Sequence, residues 1–422
     1  MNQRTIQKAA AAVLSAFLLT ACQDSGFSLG SEVNATTPVA DVYSPAPQQD
    51  IPVFTITSPS PDAGIPQVET LSPARVVDFQ MLDDRTGFAW SDANEGLSVY
   101  RTEDGGENWL SITPAPKARG VGLPSMQFLD SRHGWAAIST EAQQIHIWYT
   151  KDGGDTWGHT ELASSGYPAA LSFVTPEIGW LISVYDVAMG KSGKLLHKTE
   201  NGGIDWELIS LSPYEGDAVG RIPAELPLHG HVVDMFFQDR QTGWLSVTGP
   251  APIPQLYRSL DGGVTWSAAL LEFPEELPQT DITIDQGPVF ASGMDRTDGW
   301  IRTRRTDGMQ VLYDFFRSTD NGETWTFVPA GFDHSLIFLD KDTGWGVKDD
   351  VLHKTNNGGL SWTAIPASGL SGLLDQYEVP VRLQMAADDR GWLLLGQGGG
   401  GDSGLFRTED GGSSWEILAI TD

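Results

Sequence analysis

A ten-residue phrase recurs seven times along the chain and constrains the fold more than any other feature. Its last copy reads Arg407-Thr408-Glu409-Asp410-Gly411-Gly412-Ser413-Ser414-Trp415-Glu416, and the earlier copies close on Trp109, Trp157, Trp206, Trp266, Trp325 and Trp362. The shared frame is a basic or aromatic residue, Ser or Thr, a free position, Asp or Asn, then Gly-Gly or Asn-Gly, two variable residues and Trp. A second mark precedes each copy. It reads Gly134-Trp135, Gly179-Trp180, Gly243-Trp244, Gly299-Trp300, Gly344-Trp345 and Gly391-Trp392. In the first copy, Gly87-Phe88-Ala89-Trp90, the Trp is displaced by two residues.

Between these marks lie short apolar runs bounded by Gly and Asp, the pattern of strands joined by tight turns. Residues 124–165 show one repeat in full. Met126 to Leu129 leads through Asp130-Ser131-Arg132-His133-Gly134 to Trp135-Ala136-Ala137-Ile138. Ile145 to Thr150 then enters the phrase, and a fourth run begins at Trp157. Seven such units make about 28 strands, and four-stranded units repeated around an axis predict an all-β, seven-bladed β-propeller. A linear β-solenoid is the competing architecture. Its coils are shorter and more even than the 37–60 residues that separate successive phrase tryptophans. The high Gly (47) and Pro (25) counts suit so many turns.

The phrase has a physical logic. Gly supplies turn conformations that other residues adopt at a cost. The Asp or Asn accepts hydrogen bonds from main-chain N–H groups of the same turn, the Ser/Thr hydroxyl does likewise, and Trp packs the turn against its own blade. The frame resembles the Asp-box, or BNR, repeat, Ser/Thr-x-Asp-x-Gly-x-Thr/Ser-Trp, which Ser318 to Trp325 matches in full. The box positions assigned on this resemblance are Asp104, Asp152, Asn201, Asp261, Asp320, Asn356 and Asp410, with the tryptophans already named. Seven copies imply a structural role, so no catalytic residue is assigned. Paired with the Gly-Trp mark, the boxes resemble the photosystem II stability/assembly factor family and its bacterial lipoprotein relatives over residues 75–420. That resemblance implies a protein-binding or complex-assembly scaffold without a cofactor.

The N-terminus reads as an address. Arg4 and Lys8 precede the apolar run Ala9 to Leu19, and Leu19-Thr20-Ala21-Cys22 follows. A charged start, a short apolar stretch and small residues describe an export signal over residues 1–21. The run is too short for a normal membrane span. Cys22, the sole cysteine, stands where the lipobox of bacterial lipoproteins places its acylated residue. The alternative is an ordinary signal with a chance Cys. A lipid anchor at Cys22, an extracytoplasmic location and a Pro/Ser/Thr-rich tether over residues 22–70 are therefore expected, with the propeller over 71–422. Beyond residue 21 the chain carries 24 basic against 55 acidic side chains, a field that argues against a nucleic-acid partner.

If strands run outward in order, both repeated turns share one face, and the irregular loops share the other. Those loops span 184–192, 211–231, 247–254, 270–287, 366–379 and 396–404. Function tends to sit on variable loops held by a rigid scaffold, so a binding site is expected there, near the central opening. Lys117, Arg119, Arg221, Arg302, Arg304 and Arg305 are the candidate contacts for carboxylates of a protein partner or glycan. Tyr214, Leu226, Phe273, Leu277 and Tyr377 are candidate apolar contacts, unless they fold back onto the blades. A monomer is expected.

Enzyme readings have less support. Gly220-Arg221-Ile222-Pro223 approaches the sialidase Phe/Tyr-Arg-Ile-Pro motif, but it lacks the aromatic residue and follows three boxes instead of preceding the first. Other glycosidases use paired carboxylates, and no pair stands out among so many acids. A surface glycosidase or glycan binder remains the alternative function. Gly401-Asp402-Ser403-Gly404 lacks a His/Asp framework for a serine nucleophile, and His229-Gly230-His231 offers two metal ligands without a third, so no metal site is assigned.

Overall fold

The computed structural model describes residues 76–418, apart from segments 93–95, 115–118, 189, 213–225, 228, 249–254, 276–281, 291–296, 308–309, 333, 335, 366–368, 378 and 398–401. The expected signal, Cys22 and the tether lie outside the described residues, as do Lys117, Arg221, Tyr214 and Leu277.

Seven antiparallel sheets of four consecutive strands make a seven-bladed β-propeller. Blade 1 holds β1 (Val76–Met81), β2 (Gly87–Ser91), β3 (Val99–Thr102) and β4 (Leu110–Ser111). Blade 2 holds β5 (Val121–Phe128), β6 (Gly134–Ser139), β7 (Gln144–Thr150) and β8 (Gly158–Ser165). Blade 3 holds β9 (Tyr167–Phe173), β10 (Gly179–Ala188), β11 (Lys191–Thr199) and β12 (Glu207–Ser212). Blade 4 holds β13 (His231–Phe237), β14 (Gly243–Thr248), β15 (Leu256–Ser259) and β16 (Ser267–Ala269). Blade 5 holds β17 (Ile282–Phe290), β18 (Gly299–Asp307), β19 (Gln310–Ser318) and β20 (Thr326–Phe332). Blade 6 holds β21 (Leu336–Phe338), β22 (Thr343–Lys348), β23 (Val351–Asn356) and β24 (Thr363–Ala364). Blade 7 holds β25 (Val379–Met385), β26 (Gly391–Gly396), β27 (Ser403–Thr408) and β28 (Glu416–Leu418). First strands of neighbouring blades contact one another around the axis.

The repeated turns share one face, because each box reaches back to the turn between the first two strands of its own blade. Gly105 N–H donates to Arg85 O, Gly153 to Arg132, Gly202 to Glu177, Gly262 to Gln241, Asn321 to Thr297, Gly358 to Asp342 and Gly411 to Asp389, at 2.7–2.9 Å. Within each box the carboxylate or amide is consumed locally. Asp152 Oδ1 accepts from Thr150 Oγ1 (2.8 Å) and Thr156 N (2.9 Å), while Oδ2 accepts from Thr156 Oγ1 (2.6 Å). Two successive residues then take left-handed backbone angles, as at Gly153 (φ 77) and Gly154 (φ 94). Glycine fills both places except in blade 5, where Asn321 (φ 61), a residue that tolerates this region, precedes Gly322.

Two assignments shift by the register of these bonds. In the sixth box Asn357, not Asn356, accepts from Thr355 Oγ1 (2.9 Å) and Ser361 N (2.9 Å), so Asn356 is the free position. In blade 1 the Gly-Trp place is filled by Phe88, not Trp90. Gly87 pairs with Thr102 and Phe88 with Arg101, as Gly134 and Trp135 pair with Thr150 and Tyr149 in blade 2.

The Gly-Trp tryptophans bind blade to blade. Trp135, Trp180, Trp244, Trp345 and Trp392 are fully buried. Trp135 donates to Gly202 O (2.9 Å), Trp180 to Gly262 O (2.8 Å), Trp345 to Gly411 O (3.2 Å) and Trp392 to Gly105 O (2.9 Å), each in the box of the next blade. The Phe88 ring has no N–H, and Arg101 Nη1 donates to Gly153 O (2.8 Å) in its place. Trp244 donates to Gln238 Oε1, whose amide donates to Asn321 of the next box. The rings also stack on the first-strand Phe of the next blade, as in Trp135–Phe173 and Trp180–Phe237, with centroids 3.5 and 3.7 Å apart. The box tryptophans sit at these seams rather than wholly on their own blade. Trp325 meets both Phe290 of its own blade and Trp244 of the preceding one, edge to face.

Among the described residues closure uses no exchanged strand, since blades 1 and 7 are each built from consecutive strands. The amide of Gln384 (blade 7) binds both backbone groups of Met81 (blade 1), just as Gln80 does with Phe128 and Gln127 with Phe173 at two other seams. One element departs from the all-β expectation. Helix α1 (Leu370–Tyr377) fills the loop from blade 6 to blade 7, where β21 and β24 are short. Its Leu370, Leu374 and Tyr377 pack among Trp345, Val347, Leu383 and Phe406 of both blades.

Candidate binding face and axial channel

The face opposite the boxes carries the irregular loops, but several are more ordered than their sequence suggests. Residues 184–192 are mostly a lengthened hairpin, with β10 and β11 paired as far as Ala188 and Lys191. The segment 270–287 already contains the start of β17. Two candidate apolar contacts, Leu226 and Tyr377, are buried in the blades, and Phe273 packs edge-on against Phe316. Beside Leu226, the buried Lys194 ammonium ties the long loop down by donating to Ser192 O (3.0 Å), Pro227 O (2.8 Å) and Gly230 O (2.9 Å). Burial lowers its pKa to about 8. Gly230 thus belongs to this structural staple, and its neighbours His229 and His231 gather no third ligand among the described residues.

The arginine trio on β18 divides by role. Arg302 is paired with Asp285 (Nη2–Oδ2 2.6 Å) and lies over the ring of Tyr313, 5.3 Å from its centroid. Arg305 Nε meets Asp314 Oδ2 at 2.6 Å, and the other oxygen of that buried carboxylate accepts from Ala330 N and Gly331 N. Both guanidinium charges are therefore matched, contrary to the expectation of a shared cationic patch. Arg304, on the same face of β18 as Arg302, is half-buried and has no acid partner among the described residues. Arg119 lies exposed in the loop that leads into blade 2.

The axial channel holds charges that the sequence reading missed. Asp78, Asp234 and Arg382 occupy equivalent places in β1, β13 and β25, each directly after a register shift. Asp78 Oδ1 accepts from Phe79 N (2.9 Å) and Asp234 Oδ1 from Met235 N (2.8 Å). Arg382 Nη1 contacts both oxygens of Asp78 at 3.0 and 2.9 Å. Asp234 is left with the weaker share of that cation. Burial pushes its pKa up to about 6, against the opposing pull of the Met235 N–H and the Arg382 charge. The available signal was a charged residue at one offset in three first strands, Val77-Asp78-Phe79, Val233-Asp234-Met235 and Val381-Arg382-Leu383.

Near the axis, at blades 5 to 7, lies a cavity of about 150 Å³. Its lining includes Gln286, Trp300, Arg302, Phe338, Leu383 and Gln384. It opens at the seam between blades 5 and 6, whose first strands, β17 and β21, are the least in contact of the neighbouring first-strand pairs. The Trp300 ring stands 5.0 Å from Phe338, and its buried Nε1 has no hydrogen-bond partner. The box carboxylates, in contrast, are engaged by their own turns. Burial raises the pKa of Asp104, Asp152, Asp261, Asp320 and Asp410, but the hydrogen bonds of the turn outweigh it and hold them below the usual range.

Fold and site together define a seven-bladed propeller with a turn face bound by its own hydrogen bonds, an opposite loop face and a charged axial channel. The chain is similar to the photosystem II assembly lipoprotein Ycf48 of Synechococcus sp. (strain CC9902), with 24% identity over 302 residues, covering 63% of this chain and 79% of that protein. It is also similar to a xyloglucanase of Paenibacillus sp., with 31% identity over 198 residues, covering 38% of this chain and only 18% of that enzyme. Among solved structures, YCF48 bound to D1 peptide superposes with a TM-score of 0.51 at 16% identity, covering 81% of this chain and 95% of the other. The GH74 enzyme of Niastella koreensis superposes at 0.56 and 14% identity, covering 83% of this chain and 54% of the enzyme. At such identities the structural likenesses concern the fold. No family model matches the chain.

Proposed function

We propose that this chain is a scaffold of the assembly-factor kind, anchored outside the cytoplasm through a lipid on Cys22, which holds an acidic or C-terminal segment of a protein partner on its loop face. The observation that carries this reading is the contrast between the two faces. Every box carboxylate is consumed by its own turn, whereas Arg119 and Arg304 on the loop side lack acid partners among the described residues. A guanidinium in that state has donors to offer a carboxylate. The similarity to Ycf48, and the peptide bound in the solved YCF48 structure, support a protein partner. Residues 22–70 would let the propeller reach away from the membrane surface. The test is titration with a D1 peptide and in-cell crosslinking, each repeated with Arg119→Glu/Arg304→Glu. Binding lost in the double variant supports the reading, and binding unchanged by it overturns the placement.

The xyloglucanase match favours one second reading, a glycan-binding or glycan-cleaving propeller. Incubation with xyloglucan oligosaccharides separates the two. Release of shorter products supports hydrolysis, and retention without cleavage supports glycan binding.

A further inference from the structure

On the outer half of blade 2, strands β7 and β8 turn one face toward blade 3, where Ile145, Ile147 and Leu162 are buried with Leu181. The opposite face meets blade 1, with Trp148 packed beside Phe88, Val99 and Ile112. The outermost strand of blade 1, β4, has two residues against eight in β8. On this thinly covered face His146 is half-buried and His159 and Glu161 are exposed.

The three side chains converge. His146 lies directly opposite Glu161 in the ladder, and His159 lies opposite Trp148. His146 Nδ1 is 2.9 Å from His159 Nε2 and 3.7 Å from Glu161 Oε1. One donor atom from each residue lies within 4.8 Å of both others. Trp148 stacks near both imidazoles, with centroids 5.8 Å from His146 and 4.7 Å from His159, and so restricts their rotation.

We propose that His146, His159 and Glu161 form a binding site for a divalent transition-metal ion of the zinc, copper or nickel type. The two imidazoles are borderline nitrogen donors, which suit those ions better than magnesium or calcium, and zinc sites readily take a carboxylate oxygen beside them. Around a tetrahedral ion with bonds of about 2.0–2.1 Å, donor atoms stand about 3.3–3.5 Å apart. The two nitrogens need to part by about half an ångström, and the carboxylate, whose oxygen lies within 4.8 Å of both, needs to close in by at most about 1.5 Å. At their present separation one imidazole donates its ring N–H to the other. Metal binding requires both facing lone pairs, so that ring must carry its proton on the outward nitrogen instead. Three protein ligands leave a coordination position for water or an incoming ligand. The strongly acidic chain raises the local concentration of cations.

The test is calorimetric titration of the untagged chain with zinc, nickel and copper chlorides at neutral pH. The copper form is also read by electron paramagnetic resonance. One ion per chain is expected, with nitrogen couplings from two imidazoles. His146→Ala and His159→Ala should each weaken binding at least tenfold, while His229→Ala/His231→Ala should leave it unchanged. His159 is exposed, so His159→Ala is expected to keep the near-ultraviolet circular dichroism of the parent and decides the matter if His146→Ala fails to fold. Absence of stoichiometric binding by the parent chain, or undiminished binding by folded His159→Ala, overturns the proposal.

Discussion

The indole Nε1 of Trp392 donates to the carbonyl of Gly105 at 2.9 Å, across 287 residues of sequence, and thereby joins the last blade to the first. The same bond, between other pairs, joins blades 2 to 3, 3 to 4 and 6 to 7. Trp392→Phe keeps most of the ring and removes the donor, leaving a buried carbonyl unsatisfied. A loss of about 1–2 kcal/mol is expected. Trp300 provides the control, because its buried N–H has no partner to lose. Trp300→Phe should cost less than Trp392→Phe when both are compared by urea midpoint, and the reverse order would count against the seam bond.

Glycine is required in the boxes by backbone angle and by space together. At Gly262 (φ +75) an added Cβ would lie 2.8 Å from Arg240 O, whereas at Gly372 in helix α1 it would meet nothing within 4 Å. Gly262→Ala should destabilise by more than about 1 kcal/mol. Gly372→Ala should stabilise by up to about 1 kcal/mol, the difference in helix propensity. Thermal unfolding of the two variants beside the parent checks the opposed signs.

The fold was legible because the constraint repeats. Seven boxes and six Gly-Trp pairs each mark a turn, and the turns leave room for four strands per unit. Local chemistry explains what was displaced. Asn356 and Asn357 are interchangeable by type, and only the hydrogen bond from Thr355 selects Asn357. Phe88 fills a tryptophan's place because Arg101 supplies the missing donor to Gly153, a substitution made on a different strand. The site was less legible. Arg302 and Arg305 read as a cationic cluster, but their partners Asp285 and Asp314 come from neighbouring strands. Asp78 and Arg382 meet only because the ring closes, and the His146, His159 and Glu161 group depends on cross-strand register.

Asp234 gives the fold a pH dependence of defined sign. Its folded pKa, about 6, lies above the ordinary aspartate value of 3.8. The protonated form is favoured in the fold, so this contribution to stability is fully present below about pH 4 and is lost as pH rises through about 6. A shift of this size corresponds to about 2–3 kcal/mol. Asp234→Asn should therefore be more stable than the parent at pH 7.5 and similar to it at pH 4. Equal stabilities at both pH values would show that the axial channel hydrates the carboxylate fully.

The proposed function requires that the loop face bind a partner while the box face is structural. It is tested most directly by placing a photoreactive residue, in cells, either at Arg119 and Gln310 on the loop side or at Glu409 and Leu260 on the box side, all four being exposed positions. A discrete protein adduct from the loop-side positions alone is the predicted result. An adduct formed only from the box side, or equally from both faces, would overturn that placement.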